Sequence, residues 1–251
     1  MLLRHCCSLS DAALITSDKE VLNADAWNRY EHAIEQRRGG IPVAYITGQR
    51  EFWSMKLLVT PDVLIPRPET ELLVELTLEK IDKDTDALIA DLGTGSGAIS
   101  LAIAMERTHC RVVATDSSNA TLNIARQNAQ RLNIYNVEFL KSNWLELVDG
   151  KDFDLIVSNP PYVCSGDPHL NQGDVRFEPQ AALVSGTDGL DAIKVIAQQS
   201  QRYLKPGGFL IVEHGSEQAQ AVREIFFTHG FINPCTHKDL AGLARVCLGQ
   251  K

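Results

Sequence analysis

No long hydrophobic run occurs in this sequence: nowhere in its 251 residues do the roughly 18 consecutive apolar residues of a membrane-spanning helix appear. The opening MLLRHCCSLSD has two leucines before Arg4 and His5, too few for the apolar core of a secretion signal, so a cytoplasmic protein is expected, with neither export nor membrane insertion. No CxxC and no pair of pairs with zinc spacing occurs among the six cysteines Cys6, Cys7, Cys110, Cys164, Cys235 and Cys247; reduced, mostly buried thiols and no metal site are expected. Nor is there a dense Lys/Arg block. The 24 basic residues stand against 32 acidic ones, a net charge of -8, so direct DNA binding is not expected. Internal repeats and low-complexity tracts are also missing. What is there is 44% hydrophobic, enough for one large domain and a small one in a monomer.

Residues 1–40 read as an N-terminal helical domain. In VLNADAWNRYEHAIEQRR, Val21, Leu22, Trp27, Tyr30 and Ile34 recur at helical spacing before Gly39 and Gly40 stop the pattern. Residues 41–66 read as a β-hairpin linker, rich in β-branched and aromatic residues and divided by Gly48, Pro61 and Pro66. The third segment, 67–251, opens with the helix ETELLVELTLEKI. The strand patterns ALIAD, RVVATD, VEFLKS, FDLIVSN, FLIVEHG and ARVCLG then alternate with amphipathic helices. Continuous apolar strands between helices predict an α/β fold, a mostly parallel sheet with helices on both faces. PGG at 206–208 reads as the turn between a helix and the next strand.

The run ADLGTGSGAIS puts Gly93, Thr94, Gly95, Ser96 and Gly97 where the first of these strands hands over to a helix, the place at which open α/β sheets bind ligands. The extra glycine makes the spacing G-x-G-x-G, away from the dinucleotide fingerprint. RVVATD ends on Asp116, 19 residues beyond Gly97, the separation at which an acidic side chain reaches ribose hydroxyls. A tight turn followed by a helix cap is the plainer alternative for these residues. The third strand ends in SNWLE, which puts Asn143 and Trp144 at the same sheet edge, an amide and an indole face suited to an adenine ring.

FDLIV should be the fourth strand, so Asn159 of SNPPYV emerges beside the glycine loop. Pro160 and Pro161 stiffen the backbone on both sides of that corner. The Asn159 side-chain oxygen and the Pro160 carbonyl both accept hydrogen bonds, and the Tyr162 ring offers a flat platform. Two acceptors and a platform suit a planar NH2 group. Holding its hydrogens leaves the nitrogen lone pair aimed at an electrophile, and such positioning supplies roughly 7 to 11 kcal/mol in the best oriented cases. An early general base is not required, because the nitrogen becomes strongly acidic once alkylated. Alone, NPPY also reads as a rigid turn off a strand; the glycines and Asp116 on adjacent strands favour chemistry.

With DLGTGSG, Asp116 and NPPY in this order, the chain resembles the class I S-adenosylmethionine-dependent methyltransferases that methylate amino groups. It is more closely similar to the HemK/PrmC family of release factor glutamine N5-methyltransferases, through GIPVAYITGQREFW, VTPDVLIPRPETE, DLGTGSGAIS, SNPPYV, FEPQAAL and SGTDGLD. The resemblance implies a Rossmann-like sheet of seven strands, its last strand ARVCLG antiparallel, behind a small helical docking domain and the hairpin. It implies methylation, by S-adenosyl-L-methionine, of the glutamine amide in the Gly-Gly-Gln loop of class I peptide chain release factors, leaving S-adenosyl-L-homocysteine. Gly93 to Gly97 would then hold the methionine end of the cofactor, Asp116 its ribose, and Asn143 and Trp144 the adenine side. Asn159, Pro160, Pro161 and Tyr162 would hold the glutamine, with Asn159 also reaching the cofactor and Asn159, Pro160 and Tyr162 carrying catalysis. Arg67, Pro68, Glu69 and Thr70 would line the cofactor pocket. Two departures stand out. The family's opening helix is not recognisable, which is expected to weaken release factor docking; Asn143 replaces an aspartate, which is expected to loosen the grip on the adenine amino group.

Three other readings compete. A methyltransferase acting on N6-adenine or N4-cytosine of nucleic acid needs the same tetrad, but also a basic face and a segment that flips bases. A scaffold that binds cofactor without turnover, or a nicotinamide oxidoreductase, is disfavoured by the tetrad and by the glycine spacing. A ribosomal-protein glutamine methyltransferase shares all the chemistry and differs only in its partner. Glu213 and His214, at the end of FLIVEHG, read as residues that merely satisfy their neighbours.

Overall fold

The computed structural model describes residues 1–7, 10–16, 21–150 and 152–251. The N-terminal part holds α1 (Leu2–Cys7), α2 (Asp11–Thr16) and α3 (Ala24–Arg38). Asn23 caps α3 by accepting from the Ala26 N–H at 2.8 Å, and Arg37 and Arg38 face the negative end of its dipole. Its buried face is made of Ala26 and Ala33, whereas Trp27 is half-exposed and Val21 lies ahead of the helix in solvent. Of the apolar residues read at helical spacing, Leu22, Tyr30 and Ile34 are half-buried at the edge of that face, and Val21 and Trp27 lie outside it. Small residues let α1 come close, and the Arg29 Nε–H donates to the Cys6 carbonyl at 3.0 Å.

The linker begins with a single helical turn rather than a strand, α4 (Val43–Thr47), ended by Gly48 in the left-handed conformation. β1 (Gln49–Phe52) and β2 (Met55–Leu58) then form the hairpin. Its two turn residues, Trp53 and Ser54, both have positive φ, the primed-turn geometry that matches strand twist. The turn is held from outside, by Glu71 accepting from the Trp53 N–H at 2.8 Å and Glu106 from its indole N–H at 2.9 Å. Phe52, Met55 and Leu57 join the main core, so the hairpin is docked on the sheet domain.

After a 3-10 turn at Pro68–Thr70 come α5 (Glu71–Lys80), β3 (Leu88–Leu92), α6 (Ala98–Glu106), β4 (Arg111–Asp116), α7 (Asn119–Leu132), β5 (Val137–Lys141) and β6 (Phe153–Ser158). A long connection with short 3-10 turns leads to α8 (Asp191–Tyr203), β7 (Leu204–Glu213), α9 (Ala219–Thr228), β8 (Ile232–Lys238) and β9 (Ala244–Gln250). The seven-stranded sheet has the order β5-β4-β3-β6-β7-β9-β8. Its first five strands are parallel and β9 runs antiparallel to both neighbours. Successive strand residues feed opposite cores: Ile89, Val112, Leu155 and Ile211 pack with α5, α6 and the hairpin, while Ala90, Val113, Ile156 and Leu210 pack with α8 and α9. That alternation is why these strands read as unbroken apolar runs.

Two details differ from the sequence reading. PGG at 206–208 lies inside β7, where strand pairing jumps from Phe153–Leu204 to Leu155–Phe209 and Gly207 takes φ 82°, so it is a bulge and not a turn before the strand. β8, INPCTHK, carries no apolar pattern, because as the outer edge strand it has only β9 to pair with. Half of the six cysteines, Cys6, Cys110 and Cys247, are buried, Cys235 is exposed, and all six are free thiols. Among the described residues no helix is long and apolar enough to cross a membrane.

Candidate active site

Strand order reverses between β3 and β6, so the crevice at their C-terminal ends is the switch point of the sheet. A cavity of about 370 Å³ opens there. β3 delivers the glycine loop, whose three glycines all have positive φ. The N–H groups of Gly93 and Thr94 both donate to the Thr115 carbonyl at 2.9 Å, which pins the loop to the end of β4. Gly93 and Gly95 line the cavity. At Gly93 any Cβ would sit 3.2 Å from the Trp144 ring as well as at φ 72°, so only glycine fits without strain.

Thr94 and Ser96 are buried beneath the loop instead. Thr94 donates to Asp91 Oδ2 at 2.6 Å, and the Ser96 carbonyl accepts from Asn128 at 2.9 Å. Gly97 packs against Leu101 and Ala125 as it starts α6. These three form the foundation of the loop, not its lining. Asp91 had no role in the sequence reading. It is fully buried, which pushes its carboxyl up to about 6 even though Thr94 and Ser100 both favour the charged form. The signal was an acid inside an apolar strand.

Asp116 reaches the cavity from the end of β4. One carboxylate oxygen accepts from the Gly95 N–H at 3.2 Å and the other from the Ser118 N–H at 2.9 Å; burial raises its carboxyl above the ordinary value. Asn143 and Trp144 lie on the same wall. Asn143 is exposed, and its Nδ2 donates to Glu146 at 2.7 Å, which leaves Oδ1 as its free end. Trp144 takes a left-handed backbone, φ 54°, of the strained kind concentrated at functional sites.

The opposite wall is where the sequence reading is corrected. The linker contributes Pro61, Asp62, Val63 and Leu64 to the cavity, not Arg67, Pro68, Glu69 and Thr70. Pro179, Ala181 and Ala182 of the connection after β6 complete it. Both segments were visible only as the motifs VTPDVLIPRPE and FEPQAAL. They are tied together by the Arg67–Glu178 ion pair, in which the Glu178 carboxylate is buried and also accepts from the Ile65 N–H at 3.2 Å.

Arg67 and Glu69 instead line a second cavity of about 230 Å³, together with Pro160, Tyr162 and Leu183. Asn159 borders both cavities, and Pro161 faces the first. The Asn159 Nδ2 donates to Thr70 Oγ1 at 3.1 Å, so Oδ1 is the end left without a protein partner. The corner is braced from behind. The Tyr162 carbonyl accepts from Gln218 Nε2 at 3.0 Å, and Gly189, φ 75°, lies so close that a Cβ there would be 2.2 Å from that carbonyl oxygen. The Tyr162 hydroxyl donates to Glu213 Oε1 at 3.3 Å, and burial drives its phenol well above the usual range.

Glu213 and His214 are both fully buried, and each keeps one polar atom unpartnered, Oε2 and Nε2. Their other polar atoms meet neighbours: Glu213 Oε1 accepts from Tyr162 at 3.3 Å, and His214 Nδ1 lies 2.8 Å from the Gly215 carbonyl. Burial raises Glu213 to about 7, with the Thr70 and Tyr162 hydroxyls acting the other way, and lowers His214.

Comparison with known proteins gives the family and the fold. Residues 69–175 match the methyltransferase small domain family, and residues 1–48 the PrmC N-terminal domain family. Solved structures share the fold: a methyltransferase from Pyrococcus furiosus (TM-score 0.59, 19% identity, 89% of this chain and 98% of that one) is similar. So is the 16S rRNA N2 G1207 methyltransferase of T. thermophilus in complex with AdoMet and guanosine (TM-score 0.59, 20% identity, 81% of this chain and 49% of that one). Among curated relatives, the release factor glutamine methyltransferase of Xylella fastidiosa strain Temecula1 is 48% identical over 249 residues, 99% of this chain and 90% of that protein. That of Escherichia coli K12 is 42% identical over 250 residues, 100% of this chain and 90% of that protein. With 42–48% identity over 99–100% of its length, the chain belongs to the release factor glutamine methyltransferase family.

Proposed function

We propose that this protein transfers a methyl group from S-adenosyl-L-methionine to the side-chain amide nitrogen of the glutamine in the Gly-Gly-Gln loop of a class I peptide chain release factor, acting as a cytoplasmic monomer. The observation that carries this reading is the placement of Asn159 on the border of two cavities with its NH2 end held by Thr70.

The first cavity fits the cofactor. Its volume lies in the range of small-molecule sites, Asp116 offers a carboxylate suited to a pair of ribose hydroxyls, and the Trp144 ring offers an apolar face. At Asn143, Nδ2 is engaged by Glu146, which leaves Oδ1 as an acceptor and supports its holding the adenine amino group. Bound there, the cofactor supplies an electrophilic methyl group on a sulfonium and leaves as S-adenosyl-L-homocysteine.

The second cavity takes the glutamine side chain. Asn159 Oδ1 and the Pro160 carbonyl accept the two amide hydrogens, and the Tyr162 ring packs on the amide plane. This grip orients the nitrogen toward the first cavity before any bond changes, and the stiff proline backbone prevents the acceptors from drifting. When the C–N bond forms, the amide proton becomes strongly acidic and passes to water; no side chain has to remove it first. The surface carries net negative charge and no basic run, which supports a protein rather than a nucleic acid partner.

The test is methyl transfer from labelled cofactor to purified release factor beside a variant whose Gly-Gly-Gln glutamine is replaced. Label in the first and none in the second is the expected result. Label in ribosomal protein or nucleic acid, with none in release factor, would overturn the proposal.

A further inference from the structure

The two prolines of the tetrad stiffen Asn159, Pro160 and Pro161 but not Tyr162. Each ring fixes its own φ, and each proline confines the residue before it. Tyr162 has neither restraint, so its backbone is held by contacts from elsewhere. The peptide plane between Tyr162 and Val163 is gripped at both ends: the Val163 N–H donates to the Leu183 carbonyl at 2.8 Å, and the Tyr162 carbonyl accepts from Gln218 Nε2 at 3.0 Å. Gln218, just ahead of α9, reaches two further segments with the same amide. Its Nε2 also donates to the Asp188 carbonyl at 3.3 Å, and its Oε1 accepts from the Gly215 N–H at 2.9 Å. Two glycines make room for it. A Cβ at Gly189 would lie 2.6 Å from Nε2, and one at Gly215 would lie 3.0 Å from Oε1. Gly215 is not in the left-handed region, so its missing Cβ serves the close approach of the amide and not the backbone conformation.

We propose that Gln218 is a positioning residue for amide methylation that acts through Tyr162, its amide fixing the peptide plane that sets where the Tyr162 ring lies against the substrate. The polarity of the three bonds is what matters. Tyr162 and Asp188 present carbonyl oxygens, which need donors, and Gly215 presents an N–H, which needs an acceptor; a primary amide supplies both. A carboxylate in its place keeps the bond to Gly215 and sets oxygen against oxygen at Tyr162 and Asp188. The plane, then gripped only through the Val163 N–H, turns and carries the base of the ring with it. The Tyr162 hydroxyl, bonded to Glu213 at 3.3 Å, anchors the far end of the ring and leaves that base free to swing. None of the side-chain partners of Gln218 lines the first cavity. The loss therefore falls on turnover and not on cofactor affinity.

This inference rests on the reading that Asn159 and Tyr162 hold the substrate amide, and the experiment separates the two. Wild type, Asn159→Ala, Gln218→Glu and Gln218→Met are assayed by single-turnover methylation of the same release factor, at saturating cofactor and about pH 8, where a glutamate is ionised. Tyr162→Ala is assayed alone and combined with each Gln218 substitution. Calorimetry with S-adenosylhomocysteine gives the affinity of each variant and its fraction of competent sites, to which the rate is normalised, so that misfolded protein does not count as lost turnover. Gln218→Glu is expected to lower the rate per site about tenfold or more and to leave cofactor affinity within about twofold. Gln218→Met, which keeps the length and removes all three bonds, should do likewise and decides the matter should the Glu variant not fold. In the Tyr162→Ala background either substitution should cost less than about twofold, as expected of a residue acting through the one already removed. A wild-type rate in the Glu or Met variant, a parallel loss of cofactor affinity, or an undiminished cost in the Tyr162→Ala background overturns the proposal. Full activity in Asn159→Ala would instead overturn the reading of the tetrad itself.

Discussion

The Asn159 side-chain nitrogen donates to Thr70 Oγ1 at 3.1 Å, joining the end of β6 to the turn before α5 across 89 residues of sequence. That bond orients the asparagine amide and leaves Oδ1, an acceptor, without a protein partner, the end that the proposed substrate amide requires.

Asn159→Ala should therefore cost turnover more than cofactor affinity. Loss of one positioned acceptor at a reacting nitrogen is expected to lower kcat by roughly 100-fold or more, in line with single positioning groups elsewhere. Single-turnover methylation and calorimetry on the same preparation measure the two effects separately.

Asp116→Ala should show the opposite split. Hydrogen bonds to a charged group are worth about 1.5–3 kcal/mol, so cofactor Kd should rise by about 10- to 100-fold. Because burial raises the Asp116 carboxyl, wild-type affinity should fall on acidification earlier than an exposed aspartate would dictate. Calorimetry across acidic pH, with the Ala variant as reference, tests the sign.

Asp91 makes a prediction about stability rather than binding. Its folded pKa, about 6 against an ordinary 3.8, means that the folded state holds the proton more tightly than the unfolded chain. Its contribution is fully present below about pH 4 and is lost as pH rises through about 6, a change on the order of 3 kcal/mol. Asp91→Asn should remove that slope. Urea unfolding without added cofactor, at several pH values, reads it directly, and an unchanged slope would contradict the assignment.

Arg67→Met tests the tie between linker and connection. It leaves the buried Glu178 carboxylate without its cation, an arrangement that costs about 3–5 kcal/mol. Pairing it with Glu178→Gln should recover most of the loss, since no uncompensated charge then remains. Thermal unfolding of the two single variants and the double variant provides the cycle.

The alternation of strand and helix was readable because it is a local property. Residues such as Ile89, Ala90, Val112 and Val113 must suit a strand buried on both faces wherever the strand lies. β8 escaped because an edge strand needs no apolar run, and α4 because one capped turn outweighed the β-branched residues in VAYIT. The packing face of α3 escaped because it depends on what approaches it: Ala26 and Ala33 admit α1, and Trp27 turns outward.

Sequence alone determined the stiff corner at Asn159–Tyr162, the glycine loop and the acid at Asp116, since proline rings, missing Cβ atoms and strand ends act through the nearest residues. Tertiary structure alone decided which linker residues face the cavity, that Pro179 to Ala182 close it, and that Thr70 and Glu213 stand behind the tetrad. The physical reason is that a hydrogen bond or a buried charge depends on distance in space. Tyr162 and Glu213 are 51 residues apart in the chain and 3.3 Å apart in the fold, and no spacing rule along the sequence encodes that approach.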